Sequence, residues 1–97
     1  MEFQQAFGFT LRRLRLAKGL TQEAFYDIVS ESYVSKLENG KRTPTWGLVT
    51  EIASILEVDP LVLITLVVAE QRGLDAKILA EGVVQGVERT EGSMPSS

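Results

Sequence analysis

The sequence predicts an all-α domain of five short helices followed by a short C-terminal extension, and three observations carry that reading. Apolar residues recur at spacings of three and four through most of the chain. Capping residues (Thr21, Ser30, Thr45, Asp59) stand ahead of those stripes, and Gly19 and Asn39-Gly40 close two of them. A length of 97 residues allows one small domain, and a domain of that size buries only about 60 to 65% of its unfolded surface.

The first helix is expected from about Phe3 to Lys18, where Phe7, Leu11, Leu14 and Lys18 share a stripe and Gly19 ends it. Gly8 lowers helix propensity by roughly 1 kcal/mol relative to Ala, so fraying is expected before Phe9. Arg12, Arg13 and Arg15 lie too close in sequence to share one helical face. A second helix starts behind Thr21 as N-cap, with Leu20 as a hydrophobic staple and Phe25 and Ile28 as its core contacts. Almost no connecting chain precedes the next one. Ser30 caps a helix from Glu31 to Asn39, with Glu31 suited to the positive end of its dipole and Gly40 supplying the left-handed residue at its close. Val34 and Leu37 form its apolar face, while Glu31, Ser32, Ser35 and Lys36 project elsewhere.

After the cationic loop 41–45, Thr45 caps a fourth helix whose stripe runs Trp46, Val49, Ile52, Ala53 and Leu56. Trp46 is expected to anchor the core from the head of that stripe. Asp59-Pro60 starts a fifth helix, about 60–73, which is apolar almost all round. A single small core cannot cover every side of it, so burial against a second copy is expected, with Leu63, Ile64 and Val67 at the dimer interface. Residues 1–73 thus form one domain and 74–97 an extension. Leu74 to Ala80 can form one short further helix folding back over the fifth, and Glu88 to Ser97 reads as disordered.

These residues carry a family resemblance. Leu11-Arg12-Arg13-Leu14-Arg15, Lys18 to Glu23 and Tyr33 to Thr45 resemble, in order and approximate spacing, the phage-repressor and Cro-type helix-turn-helix regulators, also called the xenobiotic-response-element family, over roughly Phe7 to Leu66. The chain departs from that pattern by about two fewer residues between Thr21-Gln22 and the cap of the next helix. Tyr26 stands where relatives carry a small residue, and no glycine precedes Val29-Ser30. The resemblance implies a repressor-like domain whose helix Glu31–Asn39 enters the major groove, with Glu31, Ser32 and Lys36 reading bases. It also implies DNA phosphate contacts from Gln22, joined by Ser30, Lys41 and Arg42, and a structural brace between Arg15 and Glu38.

Composition bears on the class of function. The net charge is −3, but residues 1–45 hold seven Lys and Arg against five acids and residues 46–97 hold three against eight, a basic half on an acidic body. Neither cysteine nor histidine is present, so disulfides, thiolate sites and the usual zinc ligands are absent; no metal or cofactor is expected. An enzyme is not expected either, since the residues lack the usual base and nucleophile and no phosphate-binding loop follows a strand. No apolar run is long enough to span a bilayer, and the first residues lack the order of a secretory signal. The expected function is therefore a sequence-specific DNA-binding transcriptional regulator, a repressor-like homodimer on an inverted repeat of double-stranded DNA, cytoplasmic and nucleoid-associated. The alternative is a protein-interaction module on the same fold, an antitoxin or anti-activator binding a protein partner.

Overall fold

Residues 1–96 are described by the computed structural model, which arranges them as α1 (Phe3–Ala17), a 3-10 turn (Gln22–Phe25), α2 (Glu31–Glu38), α3 (Trp46–Ile55), α4 (Pro60–Arg72) and α5 (Ala76–Ser93). There is no strand among the described residues. α1 is the central element, packed chiefly on α4 and α2. It contributes Ala6, Phe7 and Leu11 to a core completed by Phe25, by Val34 and Leu37 of α2, by the Val49, Ile52, Ala53 and Leu56 stripe, and by Leu63 and Val67 of α4. α3 and α4 meet at 107° across the short connection from Leu56 to Asp59, so α3 packs on α4 and on the 3-10 turn while α4 packs on α1.

Helix starts follow local chemistry. Ser30 accepts a hydrogen bond from the Tyr33 amide at 3.2 Å, Thr45 from Leu48 at 3.1 Å and Asp59 from Leu61 at 2.7 Å, each satisfying an N–H that the helix itself leaves unpaired. Thr21 makes no such side-chain bond. The chain behind it does not form an α-helix: Gln22–Phe25 is one 3-10 turn, and the backbone then turns through to Ser30 with the Ile28 and Val29 amides both donating to the Phe25 carbonyl. A segment two residues short of the family pattern is accommodated by this tighter winding.

Four sequence expectations need correction. α1 does not fray before Phe9; it runs unbroken from Phe3, with the Glu2 amide donating to the Gln5 side chain. Gly8 is instead a packing residue: a Cβ there would lie 2.3 Å from the Leu37 carbonyl oxygen and 2.7 Å from that of Glu38, because the last turn of α2 rests directly on the α1 backbone. Trp46 is not a core anchor but 53% exposed, since the first position of α3 overhangs the core that begins at Val49, and Pro44 is buried at that end instead. Leu63 and Val67 are fully buried within the single chain. They cannot form an interface between copies without unpacking the core, and Ile64 is half-buried against the same cluster. α4 turns Leu61 and Val62 outward instead.

The C-terminal extension also differs from expectation. Asp75 caps α5 by accepting from the Lys77 and Ile78 amides, and the helix continues past Glu88 to Ser93. Its 18 residues include none that is buried. The final position of the stretch expected to be disordered, Ser97, lies outside the described residues.

Glycines at contact and in open space should respond oppositely to the same substitution. Gly8→Ala should cost about 1 to 3 kcal/mol, since the clash with the α2 carbonyls outweighs the propensity gain. Gly82→Ala, with nothing near its Cβ position, should stabilise by up to about 1 kcal/mol. Urea unfolding of the two variants checks both signs; a stabilised Gly8→Ala would show that α2 does not rest on α1 as described.

Candidate nucleic-acid interface

An eight-residue helix is well below the length at which isolated helices persist in water, so α2 depends on what holds it. Three devices do so. Val34 and Leu37 bury its inner face completely. At the C-terminus Gly40 adopts a left-handed φ of 70°, allowing its amide to donate to the Leu37 carbonyl at 3.1 Å and that of Lys41 to donate to the Lys36 carbonyl at 2.9 Å. This paired closure satisfies two end carbonyls and fixes Lys41 beside the last turn.

The third device is the brace. Arg15 reaches from the last turn of α1 to Glu38, donating from Nε to Oε2 at 2.6 Å and from Nη2 to Oε1 at 2.9 Å, while Nη1 donates to the Leu20 carbonyl at 3.0 Å. Gln22 joins through Nε2, which donates to Glu38 Oε1 at 3.1 Å. One buried guanidinium thus ties α1, the chain entering the 3-10 turn and α2 together, with Arg15 only 8% exposed. Hydrogen bonding to Glu38, reinforced by its negative charge, holds the Arg15 pKa above its ordinary value, against desolvation, which acts to lower it. By linkage the raised value contributes stability fully below the unfolded pKa of arginine, which covers the whole physiological range.

With its inner face buried, α2 presents a polar outer one. Gln22, Ser30, Glu31, Ser32, Ser35, Lys36, Asn39 and Lys41 line a single open depression of about 680 Å³. Glu31, Ser32 and Lys36, expected to read bases, are all exposed on it. Of the residues expected at phosphates, Ser30, Gln22 and Lys41 also line it, although Ser30 is engaged in capping and Gln22 in the brace. Arg42 is not among the lining residues; it is exposed in the following loop and donates to the Lys41 carbonyl at 3.0 Å. Ser35 and Asn39 complete the surface and were not among the expected site residues. Their spacing of three and seven from Ser32 was the available signal, since it places them on the same face.

The other arginines diverge. Arg13 stands over the Phe9 ring at 5.4 Å and reaches Glu70 of α4 at 3.8 Å, on the side away from this depression. Arg12 lies near Gly40 and Asn39, on a second hollow beyond the end of α2. Among the described residues no cluster of acidic side chains could hold a metal ion.

Two helical segments joined by a tight turn, the first anchored through Phe25 and the second showing its polar side outward, define a helix-turn-helix protein. The chain belongs to the helix-turn-helix domain family, whose model matches residues 6–63. It is similar to the uncharacterized HTH-type transcriptional regulator y4dJ of Sinorhizobium fredii (strain NBRC 101917 / NGR234), at 39% identity over 67 residues covering 67% of this chain and 87% of that protein. It is also similar to the uncharacterized HTH-type transcriptional regulator RghRB of Bacillus subtilis (strain 168), at 46% identity over 55 residues. That alignment covers 54% of this chain and 40% of the Bacillus protein, so the chain spans less than half the length of this relative. No solved structure matches it.

The brace should behave as a coupled unit. Glu38→Met or Arg15→Met alone should cost about 3 kcal/mol or more by stranding a buried partner. The double variant Arg15→Met/Glu38→Met should be less destabilised than the two singles together, by about 1 to 3 kcal/mol. A double-mutant cycle from thermal or urea melts measures that coupling, and strictly additive losses would show that the pair holds nothing jointly.

Proposed function

We propose that this chain is a sequence-specific DNA-binding transcriptional regulator, repressor-like and homodimeric, acting in the cytoplasm at the nucleoid. Residues 1–73 are its DNA-binding domain and 74–97 an extension. The observation that carries the reading is the convergence of the outer face of α2 with Gln22, Ser30 and Lys41 on one exposed surface. A helix of this size fits the major groove, which is about 12 Å wide. Lys36 donates to guanine O6 or N7, Glu31 accepts from cytosine N4, and Ser32 donates or accepts beside them. Phosphates are held by Lys41, Arg42 and the free hydrogens of Gln22 and Ser30, which set register without reading sequence. A two-fold dimer places two such helices on an inverted repeat with half-sites about 34 to 36 Å apart, or a multiple of that.

Charge supports this division of labour. Glu38 lies next to the depression but is neutralised locally by Arg15 at 2.6 Å, which leaves Glu31 as the carboxylate facing the duplex. The alternative, an antitoxin or anti-activator module, draws on the net charge of −3, on Glu31 at the head of α2, and on the exposed surface of α4 and α5. The names of both relatives as transcriptional regulators favour the DNA reading.

Substitutions within the surface should separate readout from phosphate contact. Lys36→Ala should cost about 1 to 3 kcal/mol on the preferred site and relax the choice of base at one position. Lys41→Ala should weaken binding to all sequences alike and reduce the slope of log affinity against log salt by about one. The preferred site comes from selection on a random DNA pool, followed by titrations over single-base variants. If Lys36→Ala and Glu31→Gln both left base preference unchanged, α2 would not be the reading helix.

A further inference from the structure

Half of α5 packs on nothing. Ala76 and Ala80 lie beside Leu61, Val62, Thr65 and Leu66 of α4, lining a shallow trough of about 300 Å³ between the two helices. At 13 residues α4 is shorter than α5, and Ala80 already lies beside its first turn. From Val83 onward α5 therefore has no helix beneath it. Yet the apolar stripe continues: Val83, Val87, Thr90 and Met94 line a further exposed hollow along the same helix. Together Ala76, Ala80, Val83, Val87, Thr90 and Met94 follow spacings of four, three, four, three and four, the period of a two-helix seam. Glu81, Glu88 and Arg89 fall on the opposite face, while Lys77 and Glu91 border the seam, one lining each hollow.

A helix with this composition does not support itself. Gly82, Gly86 and Gly92 each disfavour it, and no residue of α5 is buried to compensate. Something must cover the seam, and its pattern fits a second copy of itself. Small residues occupy the first part (Ala76, Ala80) and larger ones the rest, so an antiparallel pairing sets large against small. With the two-fold axis at Gln85, Met94 of one copy faces Ala76 of the other, Thr90 faces Ala80, and Val83 faces Val87. The trough beside Leu61 and Val62 then receives Met94 and Thr90. A parallel pairing would set alanine against alanine and leave that trough open.

Area argues for the full seam. The free part, Val83 to Met94, is about 18 Å long at 1.5 Å per residue, too small a strip for the roughly 800 Å² per partner that a stable dimer buries. Pairing along the whole stripe from Ala76 to Met94 lengthens the strip to about 28 Å and adds Leu61 and Val62, which are 66% and 50% exposed in the single chain.

We propose that the dimer forms by antiparallel pairing of α5 with α5 of a second copy, the end of each helix seated in the partner's α4–α5 trough, and that α5 beyond Gly82 is helical only when so paired. This rests on the homodimeric part of the reading above and names its surface. The test uses the full chain without DNA, by sedimentation equilibrium and far-UV circular dichroism over a dilution series. The unmodified protein should be dimeric at tens of micromolar and lose helix content as dilution dissociates it. Val87→Glu should weaken the dimer by about 100-fold or more, since it places a carboxylate in the seam. Ile78→Glu, on the opposite face and 64% exposed, should leave it intact. Because the chain has no cysteine, register can be read directly: an equimolar mixture of Ala80→Cys and Thr90→Cys should yield a mixed disulfide dimer on oxidation, while neither variant alone cross-links with itself. A dimer unaffected by Val87→Glu, one broken by Ile78→Glu, or self-cross-linking of either cysteine variant would overturn this interface while leaving the DNA reading standing. A monomer with constant helix content would overturn both the interface and the homodimer, and base-selective titration would still judge α2 separately.

Discussion

The position of the polar surface of α2 follows from one constraint, the bidentate pair between Arg15 and Glu38. Two hydrogen bonds in a planar fork fix distance and angle together, which a lone ammonium at the same place would not do. The third guanidinium nitrogen, Nη1, donates to the Leu20 carbonyl, so the chain entering the 3-10 turn is fixed to the same point as the end of α2. Gly8 supplies the complement: its missing side chain lets the last carbonyls of α2 sit against α1. Attraction at the brace and close approach at Gly8 act on the same turn of α2 from positions two turns apart on one face of α1. A helix of only eight residues can then hold a definite orientation without stability of its own.

The same pair separates scaffold from surface. A carboxylate beside a nucleic-acid surface would repel phosphate, yet the acidic end of α2 is bound to an arginine and has lost most of its outward field. The exposed face keeps Lys36, and Lys41 is held next to it by the closure at Gly40. The net charge of the whole chain conceals this, because all of the acidic excess lies after residue 45.

What the sequence could reveal divides along range. Caps and stops are local chemistry, so Ser30, Thr45, Asp59 and Gly40 were legible directly, and with them most helix starts and the close of α2. The brace joins positions 23 residues apart, and only the family resemblance pointed to it. Three features depend on what lies opposite a residue, which periodicity cannot supply. Gly8 reads as a helix-weakening residue until α2 is seen resting on it. Trp46 sits on the right stripe but one turn beyond the edge of the core. The missing two residues before Ser30 signalled compaction, but not that a 3-10 turn would absorb it, because Phe25 can be buried from either winding.

α4 shows the same limit in its sharpest form. An almost wholly apolar helix tells a reader that every side must be covered, and a second copy is one way to cover it. In the fold Leu63 and Val67 belong to the chain's own core, α1 and α3 take adjoining sides, and α5 returns across Leu66. The residual exposure falls on Leu61 and Val62, at the end where Ala80 is the last seam residue of α5 beside α4. The apolar excess of α4 is thereby passed to the next helix: α5 borders the α4 trough with Ala76, Lys77 and Ala80, and its apolar stripe goes on beyond that trough to Val83, Val87 and Met94. A helix that continued solely to shield its neighbour would have no need for Val83, Val87 and Met94 on the stripe begun by Ala76 and Ala80. Their presence on that one face, bordered by Lys77 and Glu91 and with Glu81, Glu88 and Arg89 on the other side, is the pattern expected of a segment selected to meet a surface outside the monomer.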